Sequence, residues 1–131
     1  VHGNHYGTSS RWMNEQLSKG QDILLEIDWQ GAAQVRQANP QAVLIFILPP
    51  SYEALTSRLT SRATDSAEVI AGRLAAARTE MSHLFDFDYV IINEDFDRAA
   101  SELTAVVTAE RLRTARQTER HSETIENLIK T

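Results

Sequence analysis

Two carboxylates, three guanidiniums and one glycine-flanked polar stretch are the residues of this chain whose types and spacing could do chemistry. Glu26 and Asp28 stand two apart in Ile23-Leu24-Leu25-Glu26-Ile27-Asp28-Trp29-Gln30-Gly31. Side chains two apart on a strand share a face, so both acids would point one way while Leu25 and Ile27 pack on the other. A buried carboxylate is costly unless something pairs with it, and ligands of open α/β sheets bind beyond the carboxyl ends of the strands. The pair therefore reads as acceptors for a ligand's donors. Asp28 reads equally well as a salt-bridged or N-capping acid ahead of a helix opened by Trp29. Arg58 and Arg62 share a helical face, and Arg73 follows on a later helix. Their planar guanidiniums suit bidentate capture of phosphate or carboxylate, although three such arginines also occur as a solvated face. In Asn4-His5-Tyr6-Gly7-Thr8 the tyrosine could stack on a ligand or simply pack.

The elements that position these groups follow from periodicity and punctuation. Residues 1–7 are turn-rich, a strand end or loop. Thr8, Ser9 and Ser10 offer N-caps to a helix over about 11–19, with Gly20 as its C-cap. Residues 23–28 form the acid-bearing strand, and 30–38 a short helix with Ala33 and Val35 on its buried side, stopped by Asn39-Pro40. The apolar run 42–48, bounded by Pro49-Pro50, is a second buried strand. Ser51 caps a helix from 52 to about 61, in which Leu55 and Leu59 lie four apart. Asp65 with Glu68 gives a capping-box-like start to a long helix. There Ile70, Leu74, Ala77, Met81 and Leu84 follow the 3.6 period and leave Arg73 on a different face. Residues 88–93 make a third strand ending in Asn93-Glu94-Asp95, 96–116 a last helix, and 118–131 a polar, frayed tail. Strands alternating with helices, without an internal repeat, predict an α/β layered domain around a parallel sheet. Three or four strands are few beside the ~5 of an ordinary sheet.

Composition sets the outer bounds. A chain of 131 residues with 42% apolar content fits one domain with one core. No run approaches the ~18 apolar residues of a membrane span, and no signal-peptide pattern opens the chain. The absence of cysteine leaves no disulfide framework or thiolate metal site and fits a reducing cytoplasm. A net charge of -5 argues against general nucleic-acid binding. Of the 13 cations only Lys19 and Lys130 are lysines, which suits anion capture and equally suits a GC-rich genome. The chain opens on Val1 inside what reads as a motif, so a fragment or processed product is expected.

Taken together, Gly3-Asn4-His5-Tyr6-Gly7-Thr8, the EIDWQG core at 26–31, Phe46-Ile47-Leu48-Pro49-Pro50-Ser51, Arg58-Leu59 with Arg62, Arg73-Leu74 and Val90-Ile91-Ile92-Asn93-Glu94-Asp95 resemble the guanylate kinase family, in family order up to about Arg116. The resemblance implies the parallel-sheet P-loop nucleoside monophosphate kinase fold and phosphoryl transfer from ATP to GMP, with Mg2+ bridging the ATP phosphates. It implies GMP contacts for Tyr6, Thr8, Glu26 and Asp28, and catalytic roles on the transferring phosphates for the lid arginines Arg62 and Arg73. It implies support on the ATP side from Arg58, Asn93 and Glu94. The division it suggests is a remainder of the GMP-binding lobe at 1–20, a core at 21–117 with a lid around 58–75, and a tail at 118–131. Against the family's pattern, His5 stands for a frequent Tyr, Ala63 for a frequent Gly that would stiffen the hinge, and Glu94 for a common Asp. A larger departure is that no G-x-x-x-x-G-K-[ST] loop occurs, so the family's N-terminal strand and P-loop are missing and this piece alone should not catalyse. A sheet short of a strand exposes an unpaired edge that favours self-association. The alternative from a different class is a non-catalytic, guanylate-kinase-like interaction module binding phosphorylated partners, which would have no need of both lid arginines. A related kinase acting on another nucleotide fits Tyr6, Thr8 and Glu26 less well.

Overall fold

Short polar side chains set the starts of the helices that open at 29, 52, 67 and 96 in the computed structural model, which describes residues 10–20, 22–60 and 65–130. In chain order the elements are α1 (Ser10–Ser18), α2 (Trp29–Ala38), β1 (Ile45–Leu48), α3 (Tyr52–Leu59), α4 (Ala67–Met81), a 3-10 turn (Ser82–Asp86), β2 (Tyr89–Ile92), α5 (Phe96–Arg111), α6 (Thr114–Arg120) and α7 (Ser122–Ile129). Each cap accepts an N–H that the helix itself cannot satisfy. Ser51 accepts from Ala54 at 3.0 Å ahead of α3, and Ser66 from Val69 at 3.2 Å ahead of α4. Asp95 accepts from Asp97 at 3.3 Å ahead of α5. Ser66 thus replaces the expected Asp65 cap, because it directly precedes the first helical residue and its hydroxyl reaches the third. After α1 the chain turns at Gly20, whose φ of +79° is a left-handed conformation that glycine adopts without cost.

The chain divides into two units. The first comprises Val1–Phe46 and Ser66–Tyr89. In it Ala32, Leu44 and Phe46 are buried, and Phe87 meets Phe46 edge-on with ring centroids 4.9 Å apart. The Asp88 carboxylate accepts both the Leu44 N–H at 2.8 Å and the Arg36 guanidinium, tying α2 and the approach to β1 to the start of β2. On α2 the buried side is Gly31 and Ala32 with Val35 and Arg36 half-buried, a stripe of i, i+4 pairs, whereas the expected Ala33 is exposed.

The second unit comprises Ile47–Asp65 and Val90–Thr131. Here Ile91 is buried, while Ile47, Val90 and Ile92 are 53%, 43% and 53% exposed. That alternation leaves one face of these strand ends uncovered. The tail expected to fray is helical. The helix expected to reach 116 stops at Arg111, and α6 and α7 follow, each in contact with the helix before it. Ile125, Leu128 and Ile129 give α7 an apolar stripe at helical spacing that its polar composition obscures.

Two strands, β1 and β2, make up the sheet found among the described residues. Tyr89 N–H donates to Leu44 O at 3.1 Å and Asn93 N–H to Leu48 O at 2.8 Å. The offset is constant along both strands, so the pairing is parallel. The long crossover α3–α4 that joins them is what such a pair requires. Residues 42–44, expected inside the strand, lie outside it, leaving β1 four residues long opposite a four-residue β2. The central strand expected at 23–28 is absent from that sheet. Its half-buried Ile23, Leu25 and Ile27 alternate with exposed Leu24 and Glu26, which is a strand's periodicity. A strand also needs a hydrogen-bonded ladder with a neighbour, and the described residues form none with this segment.

Candidate functional site

Asp28 is the best-defined of the candidate groups. It stands at the N-terminus of α2 in an extended conformation, and its Oδ1 accepts the Gly31 N–H at 2.8 Å. That bond, together with the positive end of the helix dipole, fixes the direction of a half-buried carboxylate. Capping and ligand acceptance, the two readings of its sequence position, are compatible, because a carboxylate has about four lone-pair sites. Glu26 is exposed, so the pair is not the buried couple that a central strand would impose, and no charged side chain is buried among the described residues.

Trp29 opens α2 immediately after Asp28. Its indole lies face to face with the His83 imidazole, ring centroids 3.6 Å apart and planes within 8°. His83 belongs to the 3-10 turn that continues α4, the helix carrying Arg73. The apolar period of α4 is borne out by half-buried Ile70, Leu74, Ala77 and Met81. Arg73, expected on a different face, is half-buried as well, beside that stripe. Glu26, Asp28, Trp29, Arg73 and His83 all belong to the first unit.

The second unit holds the remaining described candidates. Arg58 is exposed in the last turn of α3, where a cation favours the helix dipole. Asn93 extends the β2 ladder through its N–H to Leu48 O, which places it at the strand's carboxyl end, and Glu94 follows with its N–H on Ile92 O at 3.0 Å. A hollow of about 240 Å³ in this unit is lined by Val90, Ile92, Glu94, Arg98 and Glu102. Arg98 and Glu102 were not candidates from sequence, although Glu94, Arg98 and Glu102 follow one another at intervals of four. His83 carried no sequence signal of its own. Tyr6, Thr8 and Arg62 lie outside the described residues, as do His5 and Ala63. No group of three or more His, Asp or Glu among the described residues is placed to hold a metal ion, and no described helix is long and apolar enough to cross a membrane.

Comparison with known proteins adds a second line. Residues 1–110 match the family model described as guanylate kinase. The guanylate kinase of Dechloromonas aromatica is 57% identical over 129 residues, covering 98% of this chain and 64% of the relative. That of Aromatoleum aromaticum is 59% identical over 121 residues, covering 92% and 59%, and that of Alcanivorax borkumensis 54% identical over 129 residues, covering 98% and 62%. The chain thus spans 59–64% of the length of these relatives. Among solved structures, a crystal structure of guanylate kinase from Anaplasma phagocytophilum superimposes with a TM-score of 0.67 at 34% identity, covering 82% of this chain and 50% of that one.

Proposed function

The chain belongs to the guanylate kinase family and has its α/β kinase fold, and we propose that the protein carrying it transfers the terminal phosphoryl group of ATP to GMP, giving ADP and GDP. The observation that carries this reading is the family match across residues 1–110, with the acids at 26 and 28 and the arginine at 73 present. Guanine and ribose present donors that carboxylates accept, and a wrong base that leaves these acids unpaired is penalised. Glu26 and Asp28, with Tyr6 and Thr8, are the GMP contacts in this reading, and the Asp28 cap keeps one of the acceptors directed.

Phosphoryl transfer asks a protein mainly for positioning and for neutralisation of charge spreading over the equatorial oxygens. Arg62 and Arg73 supply guanidiniums for that charge, and Arg58, Asn93 and Glu94 serve the ATP side, with the segment around 58–75 acting as the lid. The described residues offer no cage for a metal. Mg2+, which keeps most of its waters and binds substrate phosphates, is assigned to the ATP phosphates. A cytoplasmic location is in keeping with nucleotide substrates and a chain without cysteine.

The 131 residues contain no G-x-x-x-x-G-K-[ST] loop to cradle the ATP phosphates, so the activity belongs to the full-length protein. A coupled assay of ADP formation by the full-length protein, with GMP and then AMP, CMP and UMP as acceptors, tests the reading. Turnover with GMP supports it, and activity confined to another nucleotide overturns it.

A further inference from the structure

We infer that His83 is a positioning residue for GMP binding, acting through its ring stack on Trp29. This rests on the role proposed above for Asp28. The geometry supports it in three steps, all inside the first unit. Trp29 is covalently next to Asp28 and is the first residue of α2, so its placement sets the direction in which that helix starts. The cap bond from Gly31 N–H to Asp28 Oδ1 orients the carboxylate only relative to this first turn. Something outside α2 must fix the turn itself. The face-to-face contact of the His83 imidazole, at 3.6 Å and 8°, is a contact of that kind and packs flat against one face of the indole. Gly31 and Ala32 are the buried residues of the same turn and have too little side chain to hold it alone.

His83 comes from the 3-10 turn directly after α4. The stack therefore fastens the acceptor of one substrate to the end of the helix that carries Arg73. A contact of this type controls where Asp28 sits when GMP arrives and touches neither substrate. Its removal should fall on GMP recognition and spare recognition of ATP.

The test is steady-state kinetics of the full-length protein with His83→Ala and His83→Phe. His83→Ala should raise KM for GMP by roughly tenfold, the factor set by the upper end of a ring-pair interaction, with KM for ATP unchanged. His83→Phe keeps a stackable ring and should return KM for GMP to within about twofold of wild type, well inside the span of one ring-pair interaction. An unchanged KM for GMP in His83→Ala, an equal rise in both KM values, or a His83→Phe variant as impaired as His83→Ala would each overturn the inference. If far-UV circular dichroism shows His83→Ala unfolded, His83→Leu, which fills the space without a π face, is read by the same criteria. Wild-type protein without GMP-dependent turnover defeats the proposed activity, and this inference falls with it; a normal wild type with a silent His83→Ala defeats the inference alone.

Discussion

Replacing Asp28 by Asn and by Ala separates its two roles. An asparagine caps a helix about as well as an aspartate, so in Asp28→Asn the amide oxygen can still take the Gly31 N–H that Oδ1 holds at 2.8 Å. The lost charge weakens the interaction with the helix dipole, by about 0.5 kcal/mol. In Asp28→Ala the cap goes too, for about 1 kcal/mol, which lowers Tm by roughly 2–4 °C. The substrate effect is ordered differently. A hydrogen bond to a charged acceptor is worth about twice a neutral one, so Asp28→Asn forfeits about 1.4 kcal/mol of GMP recognition, roughly tenfold in KM. The assay pairs thermal unfolding followed at 222 nm with coupled ADP formation at varied GMP. Asp28→Asn should melt close to wild type and bind GMP poorly, and Asp28→Ala should do badly on both. If Asp28→Asn keeps the wild-type KM for GMP while Asp28→Ala loses only stability, Asp28 is a cap and nothing more, and its place in the GMP site is refuted.

Other changes have equally definite outcomes. Arg73→Ala should lower kcat by at least about a hundredfold while KM for GMP moves less than threefold, the pattern of an interaction made in the transition state; equal losses in both would mean that Arg73 acts on the ground state. Asp88→Ala strips the Leu44 N–H and Arg36 of their acceptor. Because the ion pair is 36% and 40% exposed, most of the loss of about 1.5 kcal/mol comes from the unsatisfied amide. Asp88→Asn, which can still accept from Leu44, should cost less than half of that in urea unfolding, and equal losses would show that the ion pair dominates. Gly20→Ala meets no atom within 4 Å of the added Cβ but must hold φ at +79°. It should therefore destabilise by about 1 kcal/mol through the backbone alone, and a neutral melt would contradict that origin.

What sequence made legible here was local chemistry, and what it missed was pairing. Ser51 as a cap, Gly20 as a left-handed stop and Asn39-Pro40 as a helix end all depend on a few neighbouring residues, and all hold in the structure. The half-buried stripe of α4 was readable for the same reason. Residues 23–28 have a strand's alternation but no ladder among the described residues, since the partner that makes a strand is a distant segment and not a property of the six residues themselves. The exposure of Glu26 follows from the same gap. In α7, an apolar stripe of three residues was hidden by the surrounding Ser, Glu, Asn and Lys. Of the candidate site, the capping role of Asp28 was visible from the motif around it. His83 was not, because it sits 54 residues after Trp29 and only the fold brings the rings together.

The central claim is that these residues form the GMP-recognising part of a guanylate kinase. ADP formation by the full-length protein, measured with each of the four nucleoside monophosphates in turn, tests it most directly. Rapid turnover is expected with GMP and little with AMP, CMP or UMP. Turnover that is absent with GMP, or indifferent to the base, would contradict it.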